Sequence, residues 1–164
     1  MSGNVYLIGM PGSGKSRAGR AAAELLNMPF IDLDKEIERD AGRSVAELFE
    51  YGGEEGFRQM EKAALAEISA RSNSLIACGG GCVLDPDNRA LMRSTGRVVW
   101  LRVGIERLNA RAPIGGKRPL LQEPGDMERL LAEREPIYTE LADVIVDGLE
   151  DRRAMAKAIV EGLA

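Results

Sequence analysis

The chain has 164 residues, of which 45% are hydrophobic and 29% are charged, and it carries a formal net charge of −4 with a pI near 5.1. These values are typical of one globular domain with a buried core, and we expect residues 1–164 to form a single domain. The acidic charge and the 4% aromatic content disfavour a nucleic-acid partner. No apolar run approaches the ~20 residues of a membrane helix, so we expect a soluble protein with no membrane partner.

Short apolar segments alternate with helical patterns along the chain. Strands are predicted at residues 4–8, 30–34, 75–78, 98–101 and 144–146. Helices are predicted at 17–26, 54–71, 104–111 and 126–142, and also after Asp85-Pro86 and at the C-terminus. This alternation predicts a three-layer α/β/α fold with a five-stranded parallel sheet.

Three local signals refine this prediction. Ser44 and Glu47 fit a capping box, which marks the start of a helix. Pro136 can kink the helix that contains it. Residues 113–125 are rich in glycine, proline and basic side chains, and we expect a mobile loop there.

Three chemically unusual segments follow the first three predicted strands. The first strand leads into a glycine-rich loop, the second contains Asp32 and Asp34 at its end, and the third leads into Gly79-Gly80-Gly81. Ligands of parallel α/β sheets bind beyond the carboxyl ends of the strands. We therefore expect these three segments to form one site.

The glycine-rich loop matches the Walker A pattern in full and lies between a predicted strand and a predicted helix. Its backbone N–H groups and the helix N-terminus favour phosphate. Lys15 is expected to reach the β- and γ-phosphates, and the Ser16 hydroxyl to bind Mg²⁺. A chance glycine turn is the alternative, which the strand–helix context disfavours. The predicted ATP-binding residues of this segment are Gly12, Ser13, Gly14, Lys15, Ser16 and Arg17.

The rest of the sequence favours a kinase among P-loop proteins. It has no Asn-Lys-x-Asp guanine signature, and no strand ends in the Asp-Glu pair that a motor ATPase needs. Asp147 comes closest, but Gly148 follows it. Asp32 is therefore the best candidate for the acid that organises Mg²⁺. A different small-molecule kinase, such as a gluconate kinase, and a nucleotide-binding module without activity are the alternatives.

Asp32 and Asp34 lie on one predicted strand end, where residues two apart share a face. One carboxylate could organise Mg²⁺ while the other accepts the proton of a substrate hydroxyl. The alternative is purely structural, with Asp34 as the N-cap of the next helix. Spacing alone leaves both interpretations open.

Several basic residues could bind an anionic substrate. Arg58 and Glu61 are helical i,i+3 neighbours that could pair, although such pairs are usually solvated surface contacts. Arg118 lies in the predicted mobile loop, where it could close over phosphates as part of a lid. Arg134 precedes the Pro136 perturbation. Each arginine alone is weak evidence.

The chain has no histidine, so any proton transfer must use a carboxylate, a lysine or water. Its two cysteines, Cys78 and Cys82, enclose the three glycines, and two thiols are too few for a structural zinc site. We expect two reduced thiols in a cytoplasmic protein, with a disulfide across the glycines as the alternative. The residues before Asn4 show no signal-peptide pattern, which agrees with this prediction.

Taken in order, these motifs resemble the shikimate kinase family along essentially the whole chain. The matching segments are Gly9-Met10-Pro11-Gly12-Ser13-Gly14-Lys15-Ser16, Phe30-Ile31-Asp32-Leu33-Asp34, Gly56-Phe57-Arg58-x2-Glu61, Gly79-Gly80-Gly81, Leu108-x2-Arg111, Arg118-Pro119-Leu120-Leu121 and Arg134-x-Pro136-x-Tyr138. The P-loop is shared with many families, but the complete series is specific. The family's adenine loop is poorly matched at residues 149–153, which puts Arg153 in doubt as a nucleotide contact.

The resemblance implies a function and a set of roles. The expected reaction is ATP- and Mg²⁺-dependent phosphorylation of the 3-hydroxyl of shikimate, in the chorismate pathway to aromatic amino acids, by a monomer with ATP and shikimate as its partners. It implies a lid at about 112–124 and an acceptor-binding segment at about 33–61. The residues implied to bind shikimate are Asp34, Arg58, Gly79, Gly80, Gly81 and Arg134. Those implied to act in catalysis are Lys15, Asp34 and Arg118. The resemblance also implies that Arg111 packs on adenine and that Ser16 and Asp32 hold the metal.

Overall fold

The computed structural model describes residues 3–148 and 151–164. In these residues five parallel strands form one sheet in the order β2-β3-β1-β4-β5. The strands are β1 Asn4–Ile8, β2 Phe30–Asp32, β3 Leu75–Ala77, β4 Gly96–Arg102 and β5 Val144–Asp147. The predicted α/β class and the five-stranded parallel sheet are therefore confirmed.

Helices cover both faces of the sheet. They are α1 Lys15–Leu26, α2 Leu33–Ala41, α3 Val45–Ser69, α4 Pro86–Thr95, α5 Ile105–Arg111, α6 Asp126–Leu141 and α7 Arg152–Leu163, with a 3-10 helix at Cys82–Leu84. Helices α1 and α7 pack against each other. None of the helices in the described ranges is long and apolar enough to cross a membrane.

Strand β1 explains why the protein has three layers. Residues 4–8 are all buried, and successive side chains point to opposite faces. Tyr6 and Ile8 belong to one buried cluster, whereas Val5 and Leu7 belong to a second cluster. A central parallel strand with apolar side chains on both faces needs a helical layer on each side.

Helix α3 is longer than the sequence predicted. It begins at the Ser44 capping box, where the Ser44 hydroxyl accepts from the Glu47 backbone N–H at 3.1 Å, and it continues to Ser69. Gly53 interrupts it with φ 68°, a left-handed conformation that favours glycine. The predicted boundary near residue 54 therefore marks this kink, and the true start lies nine residues earlier at Val45.

The predicted strand over residues 30–34 is wrong at its C-terminal end. Strand β2 ends at Asp32, which is the N-cap of α2 and accepts from the Lys35 backbone N–H at 3.3 Å. Asp34 lies in the first turn of that helix, so the two carboxylates do not share a strand face and Asp34 is not the cap. A capping carboxylate satisfies N–H groups that the first helical turn leaves free, which favours ending the strand at Asp32.

The parallel register brings the ends of β1, β2 and β3 together. Ala77 pairs with Leu7 on one side and with Asp32 on the other. The three segments that follow these strands therefore lie at one edge of the sheet, as predicted from the sequence.

Candidate active site

The glycine-rich loop between β1 and α1 has a backbone that glycine favours. Gly12 and Gly14 have φ 83° and φ 89°, and Gly14 is the N-cap of α1. The Ser13 side chain is fully buried beneath the loop, and its backbone N–H donates to Met10 O at 3.1 Å. The first turn of α1 therefore directs its free N–H groups toward the space in front of the loop.

Lys15 is held at the loop by backbone carbonyls. Its Nζ donates to Gly9 O at 2.7 Å and to Met10 O at 2.9 Å. Burial lowers the pKa of Lys15 to about 8, although the nearby Asp34 carboxylate opposes this shift. A cation that is poorly solvated in this way favours an anionic ligand.

Ser16 and Asp32 are brought together by the ends of α1 and β2. The Ser16 hydroxyl donates to Asp32 Oδ2 at 2.6 Å. Both residues line a large cavity in front of the loop. A hydroxyl and a carboxylate oxygen side by side are the hard ligands that Mg²⁺ prefers.

This cavity has a volume of about 1150 Å³. Its walls include most of the residues predicted to bind ATP: Gly12, Gly14, Lys15, Ser16, Arg17, Arg111 and Arg118. Arg111 packs against the P-loop, because a Cβ added to Gly14 would be 3.4 Å from its Nη1. Lys117 and Arg152, which the sequence analysis did not single out, also line the cavity.

Arg152 lies in the wall of this cavity. Its neighbour Arg153 is the residue whose role as a nucleotide contact the sequence left in doubt, and the Arg153 backbone N–H donates to Asp151 Oδ1 at 3.0 Å. The structure describes only part of the poorly matched segment 149–153, since Leu149 and Glu150 lie outside the described residues.

A second, smaller pocket of about 80 Å³ adjoins the cavity and contains the residues predicted to bind the acceptor. It is lined by Asp34, Arg58, Glu61, Arg134 and all three glycines of the triplet. Pro119 and Leu120 also line it, whereas the exposed Arg118 lines the larger cavity. The loop that follows α5 thus contributes to both.

At the glycine triplet an added side chain would displace the residues that line the pocket. A Cβ at Gly79 would lie 2.9 Å from Asp34 Oδ1 and 3.0 Å from Glu61 Oε2. A Cβ at Gly80 would lie 2.9 Å from Arg134 Nη1. The triplet therefore allows two carboxylates and an arginine to approach the backbone directly.

Arg58 forms an ion pair with the buried Glu61. Arg58 Nη1 donates to Glu61 Oε1 at 3.0 Å, and the Glu61 side chain is 1% exposed. The alternative of a solvated surface pair is wrong, because the kink at Gly53 and the packing of α3 turn this face into the pocket. Burial raises the pKa of Glu61 to about 7 against the opposing effect of Arg58. Burial, followed by repulsion from Asp32, also raises the pKa of Asp34.

Four buried side-chain atoms of the described residues have no hydrogen-bond partner, and all four lie in residues that line the smaller pocket. They are Asp34 Oδ1, Arg58 Nε, Glu61 Oε2 and Arg134 Nε. Leaving a buried polar group unsatisfied costs about 1–3 kcal/mol, so such groups indicate a ligand or ordered water. Two arginines and two carboxylates suit a ligand that carries both an anion and hydroxyl groups.

Two features of this pocket were missed by the sequence analysis. Phe49 and Phe57 stack with ring centroids 4.9 Å apart and give the pocket an apolar wall. Tyr138 is buried in α6, and its hydroxyl donates to Gly80 O at 2.6 Å. The i,i+4 spacing of Arg134 and Tyr138 was the available signal, because it places both on one face of α6.

A P-loop cavity that opens onto a small charged pocket at the sheet edge defines a P-loop kinase of small molecules. A family model described as Shikimate kinase matches residues 11–164. The chain belongs to the shikimate kinase family.

Individual relatives agree with this assignment. The chain is 44% identical to the shikimate kinase of Symbiobacterium thermophilum over 163 residues, covering 96% of this chain and 92% of that protein. It is 41% identical to the shikimate kinase of Nitrosomonas europaea over 98% of this chain and 78% of that protein. A solved structure of the shikimate kinase from Acinetobacter baumannii in complex with shikimate is 36% identical, with a TM-score of 0.92 over 97% of this chain and 91% of that one.

A more distant structure shares the fold alone. A gluconokinase from Sinorhizobium meliloti is 20% identical, with a TM-score of 0.53 over 98% of this chain and 91% of that one.

Proposed function

We propose that this enzyme transfers the γ-phosphoryl group of ATP to the 3-hydroxyl of shikimate, yielding ADP and shikimate 3-phosphate in the chorismate pathway to aromatic amino acids. The observation that carries the proposal is the set of unpartnered buried polar atoms beside the P-loop: two arginine Nε atoms and two carboxylate oxygens. Shikimate offers a carboxylate for the arginines and hydroxyl groups for the carboxylates.

The acceptor is oriented by charge at one end of the pocket and by hydroxyl binding at the other. Arg58 and Arg134 clamp its carboxylate, since arginine binds carboxylates through paired donors. The backbone of Gly79, Gly80 and Gly81 contacts the ring and its substituents. Asp34, whose carboxylate also influences Lys15, binds the hydroxyl that faces the P-loop.

The donor is bound by Gly12, Ser13, Gly14, Lys15, Ser16 and Arg17, with Arg111 against the adenine. Lys15 neutralises charge that develops on the transferred group. Arg118, on a lid of about 112–124, closes over the phosphates and excludes water. These groups position the two substrates and stabilise the transition state, which are the main contributions of protein to phosphoryl transfer.

Magnesium fits the residues that are present. Ser16 and Asp32 would hold it, because their oxygens are already in hydrogen-bond contact at 2.6 Å at the edge of the cavity. The ion would neutralise charge on the β- and γ-phosphate oxygens. No group of three or more acidic or cysteine side chains forms a metal site within residues 3–148 and 151–164. A P-loop Mg²⁺ needs few protein ligands, because phosphate and water supply the others.

Asp34 has the best position among the carboxylates to meet the attacking hydroxyl. Burial raises its pKa, which makes it a better proton acceptor than an exposed aspartate. In a loose transition state early proton removal gives limited help, so the orientation of the hydroxyl is a second contribution. Asp34→Asn keeps one acceptor oxygen and separates the two roles: loss of a general base lowers kcat by about 10²–10⁴-fold, whereas loss of orientation alone appears mainly in KM.

The proposal also covers the organisation of the chain. Residues 1–164 form one catalytic domain, with an acceptor-binding segment of about 33–61 and the lid, which both contribute residues to the smaller pocket. The enzyme acts as a monomer in the cytoplasm, where reduced thiols are the rule.

The direct test is ADP release from ATP and Mg²⁺ with three acceptors: shikimate, quinate and gluconate. Shikimate should support turnover, and the other two acids should fail to do so at equal concentration. Turnover with gluconate in preference to shikimate would replace the proposal by the gluconate kinase alternative. ATP binding without acceptor-dependent ADP release would indicate a binding module.

A further inference from the structure

The lid segment between α5 and α6 contains an internal set of hydrogen bonds. The Gly115 backbone N–H donates to Leu121 O at 2.8 Å, which closes the base of a loop, and the Leu121 N–H donates to Arg118 O at 3.1 Å. Leu121 is completely buried, whereas residues 115–118 are exposed. The exposed part of the lid is therefore a loop with a fixed base, and its middle residue is Arg118.

Gln122 connects this loop to the start of α6. Its side-chain Nε2 donates to Arg118 O at 2.7 Å and to Gly116 O at 3.2 Å. Its backbone N–H donates to Asp126 Oδ2 at 2.9 Å, and Asp126 is 5% exposed and begins α6. One residue thus holds two carbonyls of the loop and is itself held by a buried carboxylate on a helix. The Arg118 carbonyl accepts from two donors, the Leu121 N–H and the Gln122 amide.

The composition of the lid makes such contacts valuable. Gly115 and Gly116 are adjacent, and glycine loses more conformational freedom than any other residue when a segment becomes ordered. Ordering a free loop costs conformational entropy for each of its residues. A loop that already has its shape before the nucleotide binds has lost that entropy in advance, so its closure needs only the movement of a preformed unit.

We propose that Gln122 is a positioning residue for Arg118. Its amide holds residues 115–121 in one conformation, so that the loop closes as a unit and brings the Arg118 guanidinium to the transferred phosphate in a defined position. Gln122 acts through the loop, since it lines neither the large cavity nor the smaller pocket. The inference rests on the proposed function, in which Arg118 acts on the phosphates, and adds to it how this arginine is aimed.

The size of the effect follows from the two bonds of the side chain. A hydrogen bond of ordinary net strength changes an equilibrium by about 2–10-fold, and both bonds lie at the exposed surface, which favours the lower end of this range. Gln122→Ala should therefore lower kcat by about 5-fold. Gln122→Met, which has a neutral side chain of similar length without a donor, should do the same. KM for ATP and for shikimate should stay within about twofold of wild type, because the contact contributes to the transition state and not to substrate binding. The melting temperature should not change.

A double-mutant cycle tests whether Gln122 acts through Arg118. Arg118→Ala removes the side chain that Gln122 positions, so adding Gln122→Ala to it should cause no further loss of kcat. Glu123→Ala is the matched control and should keep the wild-type kcat. Glu123 is exposed like Gln122, and within residues 3–148 and 151–164 it is hydrogen-bonded through its backbone alone.

Limited trypsin digestion of the full chain without substrates measures the order of the loop directly. Trypsin cuts after Lys117 but not after Arg118, because Pro119 follows Arg118. The fragment that ends at Lys117, identified by its mass, therefore reports opening of the loop. Both Gln122 variants should release this fragment about 5-fold faster than wild type, since cleavage follows the fraction of open loops. Glu123→Ala should release it at the wild-type rate.

Three results would overturn the inference. Cleavage of the Gln122 variants at the wild-type rate would show that the amide does not hold the loop. Wild-type kcat in both Gln122 variants would show that the loop contacts do not aim Arg118. Losses from Gln122→Ala and Arg118→Ala that multiply in the double variant would show that Gln122 acts by another route. Absence of shikimate-dependent turnover in the wild-type enzyme would instead contradict the proposed function, whereas the digestion tests the contacts of the lid independently.

Discussion

Replacing Gly81 by alanine should impair the acceptor pocket without lowering the stability of the protein. A Cβ at Gly81 would lie 2.5 Å from Arg58 Cζ, whereas ordinary contacts begin at 3.4 Å. The guanidinium must therefore move by about 1 Å, which is enough to lower kcat/KM by about 10²-fold, or about 2.7 kcal/mol of transition-state stabilisation. The backbone itself is unaffected, because Gly81 has φ −95° and the obstacle is the end of a flexible side chain.

The assay is steady-state kinetics with each substrate varied in turn, together with thermal unfolding. In Gly81→Ala, kcat/KM for shikimate should fall by about 10²-fold. KM for ATP should stay within a few-fold of wild type, and the melting temperature should change little. Gly52→Ala is the control, because an added Cβ there has no neighbour within 4 Å and should leave both substrates unaffected. Wild-type kinetics for Gly81→Ala, or equal losses for shikimate and ATP, would refute the role given to Arg58.

Four further predictions follow from the same contacts. Lys15→Met should abolish transfer without unfolding the protein, and near-normal turnover would contradict the phosphate-loop assignment. Arg118→Ala should lower kcat, and an effect confined to KM for shikimate would place Arg118 on the acceptor instead. Tyr138→Phe removes the hydrogen bond to the half-buried Gly80 carbonyl and should lower the free energy of unfolding by about 0.5–1.5 kcal/mol, with a raised KM for shikimate; an unchanged KM would show that Tyr138 does not position the triplet. Since burial lowers the pKa of Lys15 to about 8, the fraction carrying the charge falls as pH rises through 8, and kcat/KM for ATP should fall with it; a flat profile to pH 9 would show that Lys15 stays charged.

The phosphate-binding half of the site was predictable because its chemistry is local. One continuous segment contains the glycines, Lys15 and Ser16, and the strand and helix on either side follow from their own patterns. The meeting of three strand ends was also predictable, because it follows from a parallel sheet. Asp32 and Asp34 were recognised as important, but the helix begins one residue after Asp32, and spacing could not decide that boundary.

The acceptor half depends on packing between distant segments. Glu61 has the spacing of a surface ion pair, and only the docking of α3 against the glycine triplet buries it to 1% exposure. Phe49 lies before the Gly53 kink and Phe57 lies after it. Their stacking therefore requires a bend in the helix, which a single glycine in the sequence does not predict. Tyr138 contacts Gly80 across 58 positions of sequence, a separation that no local pattern reports.

The most direct test of the central claim is phosphorus NMR of the reaction of shikimate with ATP and Mg²⁺. The account predicts a new phosphomonoester resonance coupled to the proton on carbon 3 of the ring, appearing as the γ-phosphate resonance of ATP disappears, and absent with Lys15→Met. A phosphoester on another hydroxyl would contradict the orientation given by Asp34, Arg58 and Arg134. Inorganic phosphate as the only new signal would show that water is the acceptor and would contradict the central claim.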